Sequence, residues 1–143
     1  MMILDTNVLS ELMKERPEAR VVSWLDALPA HSVWTTAVTV FEIRHGLRIL
    51  PDGRKRRSLE SVFEDVLRVE LGGRVLDFDS AAAGEAAAIA VKLRGIGLPV
   101  EVRDVFIAGT VAAHAGSMLA TRNTKDFQNT GISLIDPWSL ATP

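Results

Sequence analysis

The sequence predicts an α/β protein built on a mostly parallel, five-stranded sheet. Two observations carry that prediction. Five short apolar runs punctuate the chain, and each is separated from the next by segments whose apolar residues recur at helical spacing. Strands that alternate with helices pair in parallel, covered on both faces, and are joined by right-handed crossovers. No internal repeat, low-complexity tract or linker interrupts the 143 residues, so a single domain, 1–143, is expected.

The first run, Met2-Ile3-Leu4, stops at Asp5, and a helical pattern (Val8, Leu9, Leu12, Met13) starts within three residues. Pro17 suits the first turn of a second helix over about 18–27, with Val21, Val22, Trp24, Leu25 and Leu28 on one face and Pro29 as its stop. Ser32-Val33-Trp34-Thr35 is β-branched and aromatic, as a strand requires. Thr36 or Thr39 can cap a third helix that turns Val40, Phe41, Ile43, Leu47 and Leu50 inward. Pro51-Asp52-Gly53 is a turn. Beyond the basic run Arg54–Arg57, Leu59, Val62, Phe63, Val66 and Leu67 mark a fourth helix, closed by Gly72-Gly73.

Arg74–Phe78 forms the third strand, and Asp79-Ser80 caps an Ala-rich helix to about Leu93. Gly95, Gly97 and Pro99 make a loop. The next helix runs from about Asp104 through His114 and packs through Val105, Ile107, Ala108, Val111 and Ala112. Ser117–Ala120 and Ile132–Ile135 complete the sheet.

Composition narrows the chemistry. Hydrophobic residues at 48% and charged residues at 24% fit a globular domain. Zero cysteines exclude disulfides, thiolate zinc sites and a Cys nucleophile. No apolar stretch has membrane-spanning length, and the N-terminus lacks the pattern of a signal peptide, so a cytoplasmic protein is expected. A net charge of −2 gives no global attraction for nucleic acid, so such binding must be local or metal-mediated.

The acids are where strands give way to helices. Asp5 ends the first strand, Glu42 lies early in the third helix, Asp104 opens the sixth, and Asp126 follows Ala120-Thr121-Arg122-Asn123-Thr124-Lys125. Each has a structural alternative: an N-cap for Asp5 or Asp104, a solvated helix residue for Glu42, a turn former for Asp126. Together they fall on the sheet edge where open α/β folds hold ligands. Converging carboxylates repel unless a positive charge intervenes, and Mg²⁺ or Mn²⁺ supplies one with oxygen ligands. His31, His45 and His114 lack metal-ligand spacing, which points away from zinc.

The sequence resembles the PIN-domain ribonucleases, in particular the VapC/FitB-type toxins of toxin–antitoxin pairs. The matching pieces are Ile3–Glu11, Thr39–Gly46, Arg103–Ala108, Leu119–Phe127 and Ile135–Trp138, in family order along essentially the whole chain. The resemblance implies a three-layer α/β/α sandwich and an Mg²⁺-dependent endoribonuclease in which Mn²⁺ can substitute. It also implies a cognate antitoxin that blocks the site, a homodimer, and assembly on DNA through the antitoxin. Asp5 and Asp104 match the family's metal-binding pair and Glu42 its helix-borne acid. Some members place the fourth acid where Asn123 stands and others where Asp126 stands; here the acid is Asp126. Glu101 is an extra acid without an assigned role.

Arg103, Arg122 and Lys125 flank the acids and are the expected phosphate-binding residues, whereas Arg54–Arg57 reads better as a solvated helix start. Thr6, Asn7 and Thr121 can hydrogen-bond the carboxylates or serve as caps. His45 is expected on a helix surface, and Trp24, Trp34 and Trp138 in the core or at an interface. The Ala-rich helix suits a tight core or a dimer seam. An antitoxin segment is expected along the apolar stripe of Val8, Leu9, Leu12 and Met13, with an Arg or Lys reaching Asp5, Glu42 and Asp104. Two rivals stand beside the enzyme: a non-catalytic PIN-fold binding module, and a receiver-like phosphotransfer domain in which Asp77 is the acceptor.

Overall fold

In a computed structural model, which describes residues 1–98 and 100–140, the five runs form one sheet. Its strands are β1 (Met2–Leu4), β2 (Val33–Thr36), β3 (Val75–Leu76), β4 (Met118–Ala120) and β5 (Ser133–Ile135). The order is β3-β2-β1-β4-β5, and every pairing is parallel. Ile3 lies opposite Trp34 on one side and Leu119 on the other. The chain leaves β1 toward β2 and β3, then returns to place β4 and β5 on the far side. The strand order therefore reverses between β1 and β4, which opens a crevice at their carboxyl ends.

Successive side chains of a strand point to opposite faces, and the core divides accordingly. Leu4 and Ala120 enter one apolar cluster with Val8, Leu9, Val21, Leu25, Ile43, Leu47 and Phe63. Ile3 and Leu119 enter the other with Leu76, Ile89, Leu93, Ile107, Val111 and Phe127. The first face is covered by α1 (Thr6–Leu12), α2 (Ala19–Asp26), α3 (Ala37–Ile49) and α4 (Arg54–Asp65). The second is covered by α5 (Ser80–Gly95), α6 (Val102–Ala112) and α7 (Thr124–Phe127). This is the expected three-layer α/β/α sandwich.

The Ala-rich helix belongs to the tight core. A Cβ on Gly109 of α6 would stand 2.6 Å from Ala82 O and Ala86 Cβ. Only a hydrogen at Gly109 and methyl groups on α5 let the two backbones approach this closely. Thr36, not Thr39, caps α3: its Oγ1 accepts from the Thr39 N–H at 3.0 Å.

Several expectations are corrected. β3 is shorter than 74–78, because its partner β2 runs beside it only as far as Thr36↔Leu76. Arg74 still reaches the sheet, through a 2.8 Å bond from Nε to Val33 O. α4 continues into a π-helical turn, Val66–Glu70, before Gly72 and Gly73 reverse the chain at positive φ. α7 is a single helical turn that carries Asp126, so the acid stands where a strand gives way to a helix and is not merely a turn former. α6 starts at Val102, so Asp104 lies inside its first turn and is not the cap. Phe41, expected inward, is 54% exposed and stacks on His45 with centroids 5.6 Å apart. Val8 and Leu9 are fully buried, so that half of the stripe expected to bind a partner is part of the core, whereas Leu12 and Met13 are only partly buried. Pro99, assigned to a loop, lies outside the described residues.

Candidate active site

β1 delivers Asp5 to the crevice between β1 and β4, and β4 delivers Thr121 beside it. The Thr121 hydroxyl donates to Asp5 Oδ2 at 2.8 Å, and Asn7 Nδ2 approaches the same oxygen at 3.4 Å. Thr121 Oγ1 also accepts from Asn7 Nδ2 at 3.2 Å and from the Asn123 N–H at 3.0 Å. Asn7 Oδ1 accepts the Arg122 N–H at 3.0 Å. These bonds tie the first turn of α1 to the end of β4, so of the roles open to Thr6, Asn7 and Thr121 the structure shows the bonding of carboxylates. Thr6 faces the other way, donating to Glu42 Oε1 at 3.1 Å.

The cleft so formed has a volume of about 450 Å³ and holds Asp5, Asn7, Glu42, Asp104, Arg122 and Asn123 on its walls. Asp104 also borders a second cleft of about 360 Å³, whose wall carries Asp126 and Lys125. Asp104 is thus the septum between them.

The acids feel one another. Burial pushes the Asp5 carboxyl above its ordinary range, opposed by bonds from Thr121, Thr6 N–H and Asn7, and the charge of Asp126 adds to the rise. Glu42 is raised by burial and by Asp5, against the Thr6 bond and the Arg103 charge. Asp104 is pushed up to about 7, first by burial and then by the charges of Asp5, Asp126, Glu101 and Glu42. All four predicted acids therefore share one electrostatic neighbourhood. Asp126 stands on the far side of Asp104, with Asn123 nearer Asp5.

That donor set fits a hard divalent cation. Oxygen ligands prevail, and a positive charge would favour the ionised form of Asp104, which burial and the neighbouring carboxylates leave partly protonated near neutrality. Among the described residues no three of these side chains close around one point as a complete cage. Mg²⁺ needs none, since it keeps several waters and takes one or two carboxylates directly.

The flanking cations differ in their freedom. Arg103 is bound to Glu101, with Nε 3.0 Å from Oε1. Glu101, the acid without a role, caps α6: it accepts from the N–H groups of Arg103 and Asp104 at 2.8 and 3.3 Å. Burial alone would raise its carboxyl, but these bonds outweigh it and hold it low. Arg122 lies 5.1 Å above the Trp138 ring at the cleft wall. Lys125 reaches the second cleft. In the basic run, Arg56 pairs with Glu60 and Arg57 with Asp52, as a solvated helix start would.

Glu11 was overlooked by the sequence reading. It is 5% exposed and lines the main cleft, accepting from Lys14 Nζ at 3.0 Å and from the Glu18 N–H at 3.2 Å. Burial pushes its carboxyl up, but the Lys14 and Glu18 bonds outweigh that and hold it low. The signal was present: Asn7, Glu11 and Lys14 stand at helical spacing, the first two on α1 and Lys14 just past its end.

A parallel sheet with acids gathered at its switch point defines the class, and sequence comparison supplies the family. The chain belongs to the PIN-domain family, whose model matches residues 2–132. Within it, the chain is 38% identical to the VapC ribonuclease Y4jK of Sinorhizobium fredii, over 99% of this chain and 100% of that one. It is 36% identical to the toxin FitB of Neisseria gonorrhoeae, over 96% and 99% of the two chains. The crystal structure of FitAcB from Neisseria gonorrhoeae superposes with a TM-score of 0.87 at 36% identity, covering 98% of this chain and 100% of that one. A structure of FitAB bound to a DNA fragment gives the same score, with 99% of each chain covered.

Proposed function

We propose that the protein is an Mg²⁺-dependent endoribonuclease, the toxic component of a toxin–antitoxin pair acting in the cytoplasm. The observation that carries this reading is the gathering of Asp5, Glu42, Asp104 and Asp126 around one crevice, where the other three all raise the proton affinity of Asp104. The relatives named ribonuclease and toxin support it along almost the full chain.

Asp5 and Asp104 would hold the cation, with Mn²⁺ able to substitute. When bound, it would offset negative charge on the scissile phosphate and leaving oxygen. The chain's residues do the rest. Thr121 and Asn7 fix the Asp5 carboxylate in one orientation. Glu42, oriented by Thr6 and held above its ordinary range, would orient the attacking water and accept its proton. Asp126 adds charge from beyond Asp104. Arg122 and Lys125, one at each cleft, pair with phosphates of the RNA, and Arg103 restrains Glu42 electrostatically as well.

An antitoxin would be the partner. A groove of about 340 Å³, floored by Met13, Ile43, Leu47 and Leu59, runs into the acidic cleft through Thr6, Lys14 and Glu42. An apolar segment lying there would bring an Arg or Lys to the acids, replacing the cation's charge. Such a partner would also carry the complex onto DNA, and a homodimer would be the toxin's own assembly. The test is cleavage of RNA by purified protein. Mg²⁺-dependent cleavage that disappears in Asp5→Asn is the expected result; RNA binding without cleavage would instead leave a non-catalytic binding module.

A further inference from the structure

We infer that the second cleft, on the far side of Asp104, is a nucleobase subsite that seats one base beside the scissile phosphate. The inference rests on the ribonuclease reading and names the part of the RNA that this cleft takes. Three features point to a base. The cleft shares Asp104 with the acidic crevice, so its occupant must be covalently close to the group bound there. Its volume of about 360 Å³ accommodates a flat heterocycle with room for the ribose edge. Its lining is of two kinds: Leu93, Leu98 and Val100 make an apolar wall, while Gln128, Asn129 and Lys125 bring polar groups to the opening.

That division is what an unstacked base needs. The ring faces require apolar contact to replace their lost stacking neighbours, and the ring edge requires donors and acceptors. Carboxamides carry both, and an Asn or Gln can address two adjacent polar atoms of a base at once. Gln128 and Asn129 make no side-chain hydrogen bond among the described residues, so their amides are available. Both are exposed and follow α7 directly, where the turn is anchored from below by the buried Thr130, whose hydroxyl donates to Phe127 O, and by Phe127 in the core. The platform is therefore firm although its tips are solvated. A phosphate alone would not explain the cleft, because Glu101, Asp104 and Asp126 line it with more negative than positive charge and apolar side chains form its wall.

The test uses full-length protein carrying Glu42→Gln, which leaves the second cleft intact, and fluorescein-labelled tetraribonucleotides in Mg²⁺ buffer. Each has either all four bases or one abasic ribose, and binding is read by anisotropy. The expected result is at least tenfold weaker binding when one particular position is abasic. That difference should vanish in two further variants: Leu98→Trp, which fills the cleft, and Gln128→Ala with Asn129→Ala, which removes only exposed amides. Equal affinity for every abasic probe, a base effect that survives both variants, or no binding of any probe would overturn the subsite. RNA cleavage by the unsubstituted protein is scored separately. Cleavage alongside a failed abasic test removes the subsite and leaves the ribonuclease reading standing.

Discussion

Thr121 donates a 2.8 Å hydrogen bond to Asp5 across 116 residues of chain, and it joins the two strands between which the sheet order reverses. Both residues are buried, at 0% and 5% exposure, so the bond is not exchanged for water. A partner that orients a ligating carboxylate typically contributes about 10–100-fold to metal affinity or activity. Thr121→Val keeps the shape and removes the donor. Mg²⁺ affinity by calorimetry should fall by about tenfold or more, and an unchanged affinity would show that Asp5 needs no bracing.

The acids also set how stability responds to pH when metal is absent. Asp104 has a folded-state value of about 7 against a model-peptide value of 3.8. The folded protein therefore binds more protons than the unfolded chain between these values, and stability falls as pH rises through that window. Glu42 and Asp5 are raised too and act in the same direction. In EDTA, the melting temperature should drop from pH 5 to pH 8, with a smaller drop in Asp104→Asn. Added Mg²⁺ should recover the loss at pH 8 in the unsubstituted chain. A melting temperature that rises over this range would contradict the raised carboxyl affinities that burial and repulsion give these acids.

The α5–α6 contact makes a prediction about stability alone. Gly109→Ala would place a methyl group 2.6 Å from Ala82 O and Ala86 Cβ, and both belong to a rigid neighbouring helix. Overpacking of this kind costs about 1–3 kcal/mol, more than the roughly 1 kcal/mol that Ala gains over Gly in a helix. Gly84→Ala, with nothing within 4 Å, should stabilise instead. Urea midpoints that move in the same direction for both variants would refute the close approach.

Arg122 and the basic run Arg54–Arg57 can be told apart by salt. If Arg122 neutralises one phosphate, Arg122→Ala should lower RNA affinity and reduce the slope of log K against log salt by about 0.7. Arg57, paired with Asp52 on α4, should leave the slope unchanged when replaced by Ala. Equal slopes for all three proteins would remove Arg122 from the RNA contact.

The buried carboxylate of Glu11 gives the last prediction. Its bonds to Lys14 and the Glu18 N–H link α1 to the turn before α2, and they keep it charged to below pH 4.5, the ordinary glutamate value. Charge-assisted bonds of this type contribute about 1.5–3 kcal/mol each in folded proteins. Glu11→Ala should cost on the order of 2 kcal/mol near neutral pH. The difference from the unsubstituted chain should shrink as pH falls below 4.5, since a depressed pKa contributes stability only while the group is ionised. A cost that does not depend on pH would mean packing alone is lost.

The sequence by itself determined what depends on neighbours along the chain. Helical and extended periods located the elements, Asp79 announced its cap, and the acids at strand ends marked one edge of a parallel sheet. It did not determine what depends on neighbours across the fold. Phe41 is as apolar as its neighbours on α3, yet it lies outside the core and stacks on His45. Val8 and Leu9 are apolar in any arrangement, but only the placement of α1 against Leu4 and Ala120 spends them on the interior. The strand order put Thr121 beside Asp5, set Asp104 as the wall between two clefts, and turned Glu101 into the cap of α6. A period constrains the faces of one element, whereas the meeting of two side chains more than a hundred residues apart is decided by which strand lies next to which.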